Sequence, residues 1–321
     1  MAPAHSATNS AASDRVDPEA ILRIASLELR ARGVVEGFLS GLHRSPQHGF
    51  SAEFSEYRNY SPGDDLRYLD WKLLARTDRR YVKRFEDETN LRCTFLLDFS
   101  RSMSFGATTE GVTRSPKIAH AVTLVATLAQ YLSVQRDAVG LISFADEMID
   151  CIPARGGSRH LRRLMLSLEQ STTGHDTQLA AALSRAAELL KKRGIVVLVS
   201  DLLSPLEGFE RALGELRARG QEVVLFRVLD PAEASFHFEE AATFEDLETG
   251  RKIYIDPSVA RDSYREAFEE HRAGIADMCA DHGVDLVDWA TDRPLQECLV
   301  EFMQARMRRG RRTLHRPRGR Q

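Results

Sequence analysis

The fold is decided by the stretch Cys93-Thr94-Phe95-Leu96-Leu97-Asp98-Phe99-Ser100-Arg101-Ser102. Its first five residues are a largely apolar run of the kind that forms a buried β-strand. An acid and two serines follow at alternate positions, where the strand ends and a loop begins. Ligands of open α/β sheets bind beyond the carboxyl ends of the strands, and carboxylate and hydroxyl oxygens suit Mg²⁺. An Asp or Ser after a strand is equally typical of a helix cap. This stretch alone therefore does not distinguish a metal site from a helix cap.

Strand and helix signals alternate from residue 91 to the end of the chain. Most of the apolar runs are separated by amphipathic helical segments, which is typical of a parallel sheet covered by helices on both faces. Two runs, 138–144 and 147–152, are joined by a short turn and predict an antiparallel hairpin. We therefore predict an α/β fold, with a doubly wound and mostly parallel sheet that has one antiparallel edge strand. The predicted strands are 91–97, 138–144, 147–152, 195–200, 222–229 and 284–289.

The chain divides by composition into a main domain and its additions. The first residues are rich in Ala and Ser and lack the apolar core of a signal peptide, which indicates a disordered tail. A predicted β-hairpin that turns at Thr249-Gly250 interrupts the alternation of strands and helices. The predicted segments are a tail 1–17, an N-terminal extension 18–90, a main domain 91–308 with a hairpin insertion 231–257, and a basic tail 309–321.

Charge and cysteine usage limit the functional classes. The 321 residues carry a net charge of −3, yet eight arginines and no acid follow Ala305. No aromatic residue interleaves with these arginines, which favours a solvated tail over a nucleic-acid site. The four scattered cysteines lie in apolar stretches, so we expect them to be buried in a reducing compartment. No run approaches the roughly 20 apolar residues of a membrane span, and we predict a cytoplasmic protein.

Two later residues complete the opening motif. Asp201 ends the apolar run 195–200, in the position that Asp98 occupies on its own strand. A right-handed, doubly wound order places these two strands side by side in mid-sheet. Thr177 begins the helix before that run, and Thr172 and Thr173 are rival candidates that lie further from the helix. Asp176 is predicted to cap the helix rather than to add a ligand.

This set of residues resembles the metal-ion-dependent adhesion site of von Willebrand factor type A domains. Those sites have Asp-x-Ser-x-Ser, then a Thr, then an Asp on a later strand. Carried over residue by residue, the resemblance assigns the metal ligands to Asp98, Ser100, Ser102, Thr177 and Asp201. It implies Mg²⁺ or Mn²⁺ as the cofactor, and a metal that accepts a carboxylate from another protein.

The N-terminal extension resembles a second family signature. The stretch Glu56-Tyr57-Arg58-Asn59-Tyr60-Ser61-Pro62-Gly63-Asp64-Asp65-Leu66-Arg67-Tyr68-Leu69-Asp70-Trp71, followed by Ala75-Arg76, is similar to that of the bacterial family called domain of unknown function 58. The resemblance implies a partnership with a MoxR-type AAA+ ATPase, because members are often encoded beside one. The segment is interpreted either as an ion-paired loop that braces the sheet or as a docking surface. The candidate partner-binding residues are Arg101, Ser104, Arg58, Asp64, Asp65, Arg67 and Trp71.

Three functional hypotheses follow. The first is a metal-dependent protein–protein interaction module, an adaptor or co-chaperone that acts with the ATPase on an unidentified client protein. The alternative is a Mg²⁺-dependent, phosphatase-like hydrolase with Asp98 as the nucleophile, although no Gly-rich phosphate loop is present. A metal-free domain used for packing is the third, and intact acids and hydroxyls at all five site positions argue against it.

Overall fold

The computed structural model describes residues 17–44, 57–59, 74, 76, 81–83, 91–106, 108–109, 112–170, 174, 178–236, 238, 240–247 and 250–314. The chain forms two compact units. The larger contains residues 1–36 and 91–321, and the smaller contains residues 37–90. In the smaller unit, strands β1 (Tyr57–Asn59) and β2 (Tyr81–Lys83) form an antiparallel pair.

The larger unit is built on a six-stranded sheet. Its strands are β3 (Arg92–Asp98), β6 (Ala138–Phe144), β7 (Met148–Arg155), β8 (Gly194–Ser200), β9 (Gln221–Leu229) and β12 (Asp285–Ala290), in the spatial order β12-β9-β8-β3-β6-β7. All neighbours pair in parallel except β6 and β7, which are antiparallel. The predicted doubly wound sheet with one antiparallel edge strand is therefore confirmed.

Helices cover both faces of this sheet. The helices of the described residues are α1 (Pro18–Leu22), α2 (Leu27–Arg44), α3 (Lys117–Val134), α4 (Ser158–Gln170), α5 (Leu179–Leu189), α6 (Phe209–Ala218), α7 (Pro231–Ser235), α8 (Pro257–Asp281) and α9 (Leu295–Leu314). One core cluster joins sheet residues such as Leu96 and Leu198 to Leu183, Leu213 and Ile275 of the helices. The apolar runs of β3 and β8 are buried throughout, as expected of central parallel strands.

Smaller strands lie outside the main sheet. A short pair, β4 (Thr108–Thr109) and β5 (Val112–Thr113), precedes α3. The predicted hairpin in the insertion is confirmed as β10 (Ala242–Glu245) and β11 (Lys252–Ile255), which pair antiparallel. Gly250 adopts a φ of 70° in their connection, a conformation that favours glycine.

Two sequence-based expectations need correction. Cys151 is exposed, whereas Cys93, Cys279 and Cys298 are buried. Cys151 lies on the edge strand β7, where alternate side chains face solvent. The second expectation concerned the length of the apolar segments. By length and composition alone, α3 is long and apolar enough to cross a membrane. It is weak evidence for a span, since 67% of that helix is buried inside the protein.

A buried ion pair lies between two neighbouring strands. Arg227 of β9 has a side chain only 2% exposed, and its Nε donates a hydrogen bond of 2.8 Å to Oδ1 of Asp288 on β12. Arg272 of α8 approaches the other oxygen of Asp288 at 3.6 Å. The pair allows a charged side chain to lie beneath α8 without an uncompensated charge.

Candidate functional site

The carboxyl ends of β3 and β8 place two acids at the same edge of the sheet. The two strands are neighbours, with Leu97 paired to Val199, so Asp98 and Asp201 follow at adjacent strand ends. Both side chains are buried. The two acids of the predicted site are thus brought together by the strand order that the sequence pattern predicts.

Asp98 is held by hydrogen bonds to both of its carboxylate oxygens. Oδ1 accepts a bond of 2.8 Å from the Ser100 amide, and Oδ2 accepts one of 2.6 Å from Ser200 Oγ. The first of these turns the chain directly after the strand, in the manner of a short Asx turn. Asp98 is thereby fixed in one orientation.

The two motif serines bring their hydroxyls together beside Asp98. Ser100 is buried and Ser102 is half-buried, and their Oγ atoms lie 3.1 Å apart. Ser102 belongs to a short 3₁₀ helix, Arg101–Ser104, that the buried side chain of Met103 anchors. The same 3₁₀ helix leaves Arg101 and Ser104 exposed to solvent.

Asp201 lies in a strained turn after β8. Its Oδ1 accepts a hydrogen bond of 3.2 Å from the Leu203 amide. The intervening Leu202 has a φ of 55°, which is unusual for a bulky side chain. Two bonds hold this conformation: the Leu202 amide donates to Ser200 Oγ at 3.1 Å, and His271 Nε2 lies 2.7 Å from the Leu202 carbonyl oxygen. Such strain is frequently found at functional sites.

The electrostatics of the site favour an additional cation. Burial, and then the charge of Asp201, raise the pKa of Asp98 to about 7, although the bonds from Ser200 and Ser100 lower it. Within the described part of the chain, no Lys, Arg or His forms an ion pair with Asp98. Ionised Asp98 is therefore a buried negative charge without a direct counter-charge, which is costly in a folded protein.

Lys117, which no sequence motif identifies as a site residue, lies beside Asp201. The side chain of Lys117, at the start of α3, is fully buried, and its Nζ donates to Asp201 Oδ2 at 2.8 Å. The same Nζ lies 2.7 Å and 2.8 Å from the two carboxylate oxygens of Glu233 on α7. Burial opposes the charge on Lys117, but the two carboxylates outweigh burial and raise its pKa. Burial also raises the pKa of Glu233.

A signal for Lys117 was present in the sequence. A cation at the N-terminus of a helix faces the positive end of the helix dipole, which is unfavourable without a neighbouring acid. The sequence shows Lys117 directly after Ser115-Pro116, so its position in the first turn is evident. Its partners are 84 and 116 residues away, however, and no local pattern identifies them.

The remaining predicted site residues lie mostly outside the described part of the chain. This holds for Thr177, its rivals Thr172 and Thr173, and Asp176. The flanking residues are described: the Gly174 amide donates to the Phe99 carbonyl at 2.8 Å, and the Gln178 amide donates to the Ala145 carbonyl at 3.3 Å. Gly174 and Gln178 therefore both lie at the sheet edge that carries Asp98.

The candidate docking residues of the N-terminal extension are also largely outside the described residues. Arg58 belongs to strand β1, whose backbone is described. The others are Asp64, Asp65, Arg67 and Trp71. The choice between an ion-paired loop and a docking surface therefore stays open.

The donor set is that of a hard-cation site rather than a transition-metal site. Among the described residues, no group of three or more His, Cys, Asp or Glu side chains is placed to hold a metal ion. The site instead combines two carboxylates with two hydroxyls, all oxygen donors of the type preferred by Mg²⁺ and Mn²⁺. Buried, uncompensated Asp98 fits such an ion.

The chain matches a family model along most of its length. The model described as "Protein of unknown function DUF58" matches residues 56–274. This chain belongs to the DUF58 family. The predicted family is thereby confirmed.

Two mycobacterial proteins resemble this DUF58 chain along most of their length. They are "Uncharacterized protein Rv1480" of Mycobacterium tuberculosis and "Uncharacterized protein Mb1516" of Mycobacterium bovis. Each is 30% identical over 297 residues, which is 91% of this chain and 91% of the relative.

Solved structures with a similar arrangement include two proteins of low sequence identity. The conserved hypothetical protein BatB from Bacteroides thetaiotaomicron is 14% identical and covers 68% of this chain and 99% of its own, with a TM-score of 0.44. The SpRpn10 VWA domain is 9% identical and covers 65% of this chain and 93% of its own, with a TM-score of 0.37. Both scores are too low to support a functional comparison.

Proposed function

We propose that this DUF58 protein is a metal-dependent protein–protein interaction module. Mg²⁺ or Mn²⁺ would be held by Asp98, Ser100, Ser102 and Asp201, with Thr177 as a further ligand by resemblance to metal-ion-dependent adhesion sites. The observation that carries the proposal is the buried carboxylate of Asp98, which faces a second acid and forms no ion pair among the described residues. A bound divalent ion supplies the missing positive charge.

The site is suited to capture a carboxylate from another protein. Asp98, Ser100, Ser102, Asp201 and Thr177 would supply five oxygen ligands, so the near-octahedral coordination of Mg²⁺ would keep one position that a partner Asp or Glu can fill. Arg101 and Ser104 are exposed on the adjoining 3₁₀ helix. Arg101 can add a charge-assisted hydrogen bond to the same partner group.

A MoxR-type AAA+ ATPase is the proposed partner, and the protein is proposed to act with it as an adaptor or co-chaperone in the cytoplasm. This part of the proposal rests on the family resemblance.

Calorimetric unfolding with and without Mg²⁺ tests the metal. Mg²⁺ at about 100 times its Kd stabilises the native protein by roughly 2.7 kcal/mol, and Asp98→Ala is expected to abolish that gain. Asp262→Ala is the control, because Asp262 is an exposed residue of α8. If wild type, Asp98→Ala and Asp262→Ala gain equally from Mg²⁺, the assignment of the site is wrong.

Co-purification with the ATPase tests the partner. Recovery of the complex is expected to fall with EDTA and in Asp98→Ala, since both remove the metal. Equal recovery from wild type, chelated wild type and Asp98→Ala would mean that the association does not use this site. The segment 56–71 would then be the next docking surface to test.

A further inference from the structure

We propose that Lys117 is an internal competitor of the metal at Asp201, and that it links metal binding to the segment that begins with α7. The inference rests on the proposed function, because it concerns the same metal site. It assigns to Lys117 an effect on the metal affinity of the site. It also gives a set of contacts through which metal binding changes the inserted segment.

The geometry gives Lys117 two alternative acids. Its Nζ lies 2.8 Å from Asp201 Oδ2 and 2.7 Å from Glu233 Oε1. A divalent ion near Asp201 repels the ammonium group and competes with it for the same carboxylate. Glu233 is already in contact with Nζ, so it can retain the ammonium when the bond to Asp201 weakens.

The charges of these groups leave room for both cations. Asp98, Asp201 and Glu233 are three carboxylates, and Lys117 is the ammonium that contacts two of them. With all four groups ionised, negative charge exceeds positive charge by the amount that one divalent ion carries. Lys117 therefore weakens metal binding without preventing it.

Glu233 connects this site to the inserted segment. It lies on α7, and its Oε2 also accepts a hydrogen bond of 3.1 Å from the Asp230 amide. The Glu233 carbonyl accepts a bond of 2.9 Å from the Tyr264 hydroxyl of α8. Phe236, just after α7, stacks on Tyr264 and on Phe244 of β10, with ring centroids 4.3 Å and 5.6 Å apart. A shift of Lys117 toward Glu233 would therefore be transmitted, through α7, to the aromatic cluster of Phe236, Phe244 and Tyr264 that packs against the hairpin.

Two substitutions are expected to change metal affinity in opposite directions. Lys117→Met removes the competing cation, so the Kd for Mg²⁺ should fall roughly tenfold or more. Glu233→Gln removes the alternative acid and leaves Lys117 to pair with Asp201, so the Kd should rise by about the same factor. General damage to the fold would weaken binding in both variants.

Isothermal titration of the full chain with Mg²⁺ tests this expectation, with Asp98→Ala as the variant that reports on the site itself. Loss of binding in Asp98→Ala, with opposite changes in Lys117→Met and Glu233→Gln, supports both proposals. If Asp98→Ala loses Mg²⁺ binding but Lys117→Met and Glu233→Gln both bind as wild type does, or both bind more weakly, the role of Lys117 is overturned. The proposed function then still stands. Unchanged binding in Asp98→Ala overturns both.

Two further outcomes are decisive. If wild type binds no Mg²⁺ but Lys117→Met does, Lys117 is the competitor; if neither binds, both proposals fail. If circular dichroism shows that Lys117→Met does not fold, Lys117→Gln replaces it and should lower the Kd for Mg²⁺ in the same way; an unchanged or higher Kd would overturn the role of Lys117.

Hydrogen exchange tests the link to the inserted segment. Addition of Mg²⁺ to wild type should change amide exchange in the peptides that cover 229–245, and it should not do so in Asp98→Ala. Exchange in those peptides that is unaffected by saturating Mg²⁺ in wild type would overturn the link.

Discussion

Ser200 Oγ, at the end of β8, donates a hydrogen bond of 2.6 Å to Oδ2 of Asp98, at the end of β3. The same oxygen accepts a bond from the Leu202 amide at 3.1 Å. One buried hydroxyl therefore orients the first acid of the site and also holds the strained turn beside the second acid. Ser200 was not identified as a site residue from the sequence, because a serine at the end of a strand has no distinctive pattern.

Replacing Ser200 is expected to destabilise the protein. Ser200→Ala leaves one oxygen of Asp98 and the Leu202 amide without this partner, which should lower the free energy of unfolding by about 1–3 kcal/mol. Urea denaturation measures the change. Ser263→Ala is the control, because Ser263 is exposed on α8 and should be near neutral. Equal stability of the two variants would contradict the role given to Ser200.

The buried pair of Arg227 and Asp288 makes a second stability prediction. Asp288→Ala leaves the guanidinium of Arg227 buried without its counter-charge. Because Asp288 is itself 38% exposed, we expect a loss of about 3 kcal/mol, at the lower end of the range for broken buried pairs. Arg272→Ala removes an exposed and longer contact to the same Asp288 and should cost less than about 1 kcal/mol. Similar losses in the two variants would contradict this ranking.

His120 is expected to make stability depend on pH. It is buried in a T-shaped contact with the Trp289 ring, with centroids 6.0 Å apart. Burial lowers its pKa, an effect that Glu19, whose Oε1 lies 3.6 Å from Nε2, and Asp230 partly offset. Arg114 contributes further lowering.

The sign of this dependence follows from the lowered pKa. The unfolded chain takes up a proton near pH 6.5, while folded His120 remains neutral, so stability is present above that pH and is lost as pH falls below it. In urea unfolding, the stability of wild type minus that of His120→Gln should fall as pH decreases from 7.5 to 5.5. This difference isolates His120 from Asp98, whose raised pKa changes stability in the opposite direction over the same range. Parallel curves would mean that His120 contributes nothing to the dependence.

The protein is expected to have no hydrolase activity of its own. The cation beside Asp201, Lys117, is fully buried and already paired with two acids, so it is not available to bind a phosphate group. Phosphate release from ATP and from a generic phosphomonoester, measured with Mg²⁺, should stay at the buffer level. Mg²⁺-dependent turnover that Asp98→Asn abolishes would instead favour the phosphatase-like alternative.

The sheet and the placement of the two acids could be predicted from the sequence because they depend on periodic patterns. Continuous apolar runs identify central parallel strands, and their order brings Asp98 and Asp201 to neighbouring ends. The boundaries were less accurate, since β7 continues to Arg155 rather than ending at residue 152. Its register with β6 shifts at two places, and such irregularities leave no simple alternation.

Contacts between distant residues could not be predicted in this way. The pair Ser115-Pro116 before α3 is typical of a helix cap, but the Ser115 Oγ donates to Glu19 Oε2 at 2.6 Å, across 96 residues of sequence. The long-range partner takes the hydroxyl that a local cap would have used. Lys117 and Glu233 could not be predicted as site residues for the same reason: their partners are distant in the sequence. The role of Thr177 stays a prediction, since it lies outside the described residues.

The buried contact of Lys117 with Asp201 and Glu233 also constrains how the sequence can diverge. Replacement of Lys117 alone leaves Asp201 and Glu233 buried without their counter-charge. Replacement of either acid leaves Lys117 with one ion-pair partner instead of two. Substitution of one member therefore favours substitution of the others, although they come from three separate elements. Across an alignment of relatives, positions 117, 201 and 233 should therefore covary: they should be retained together or replaced together.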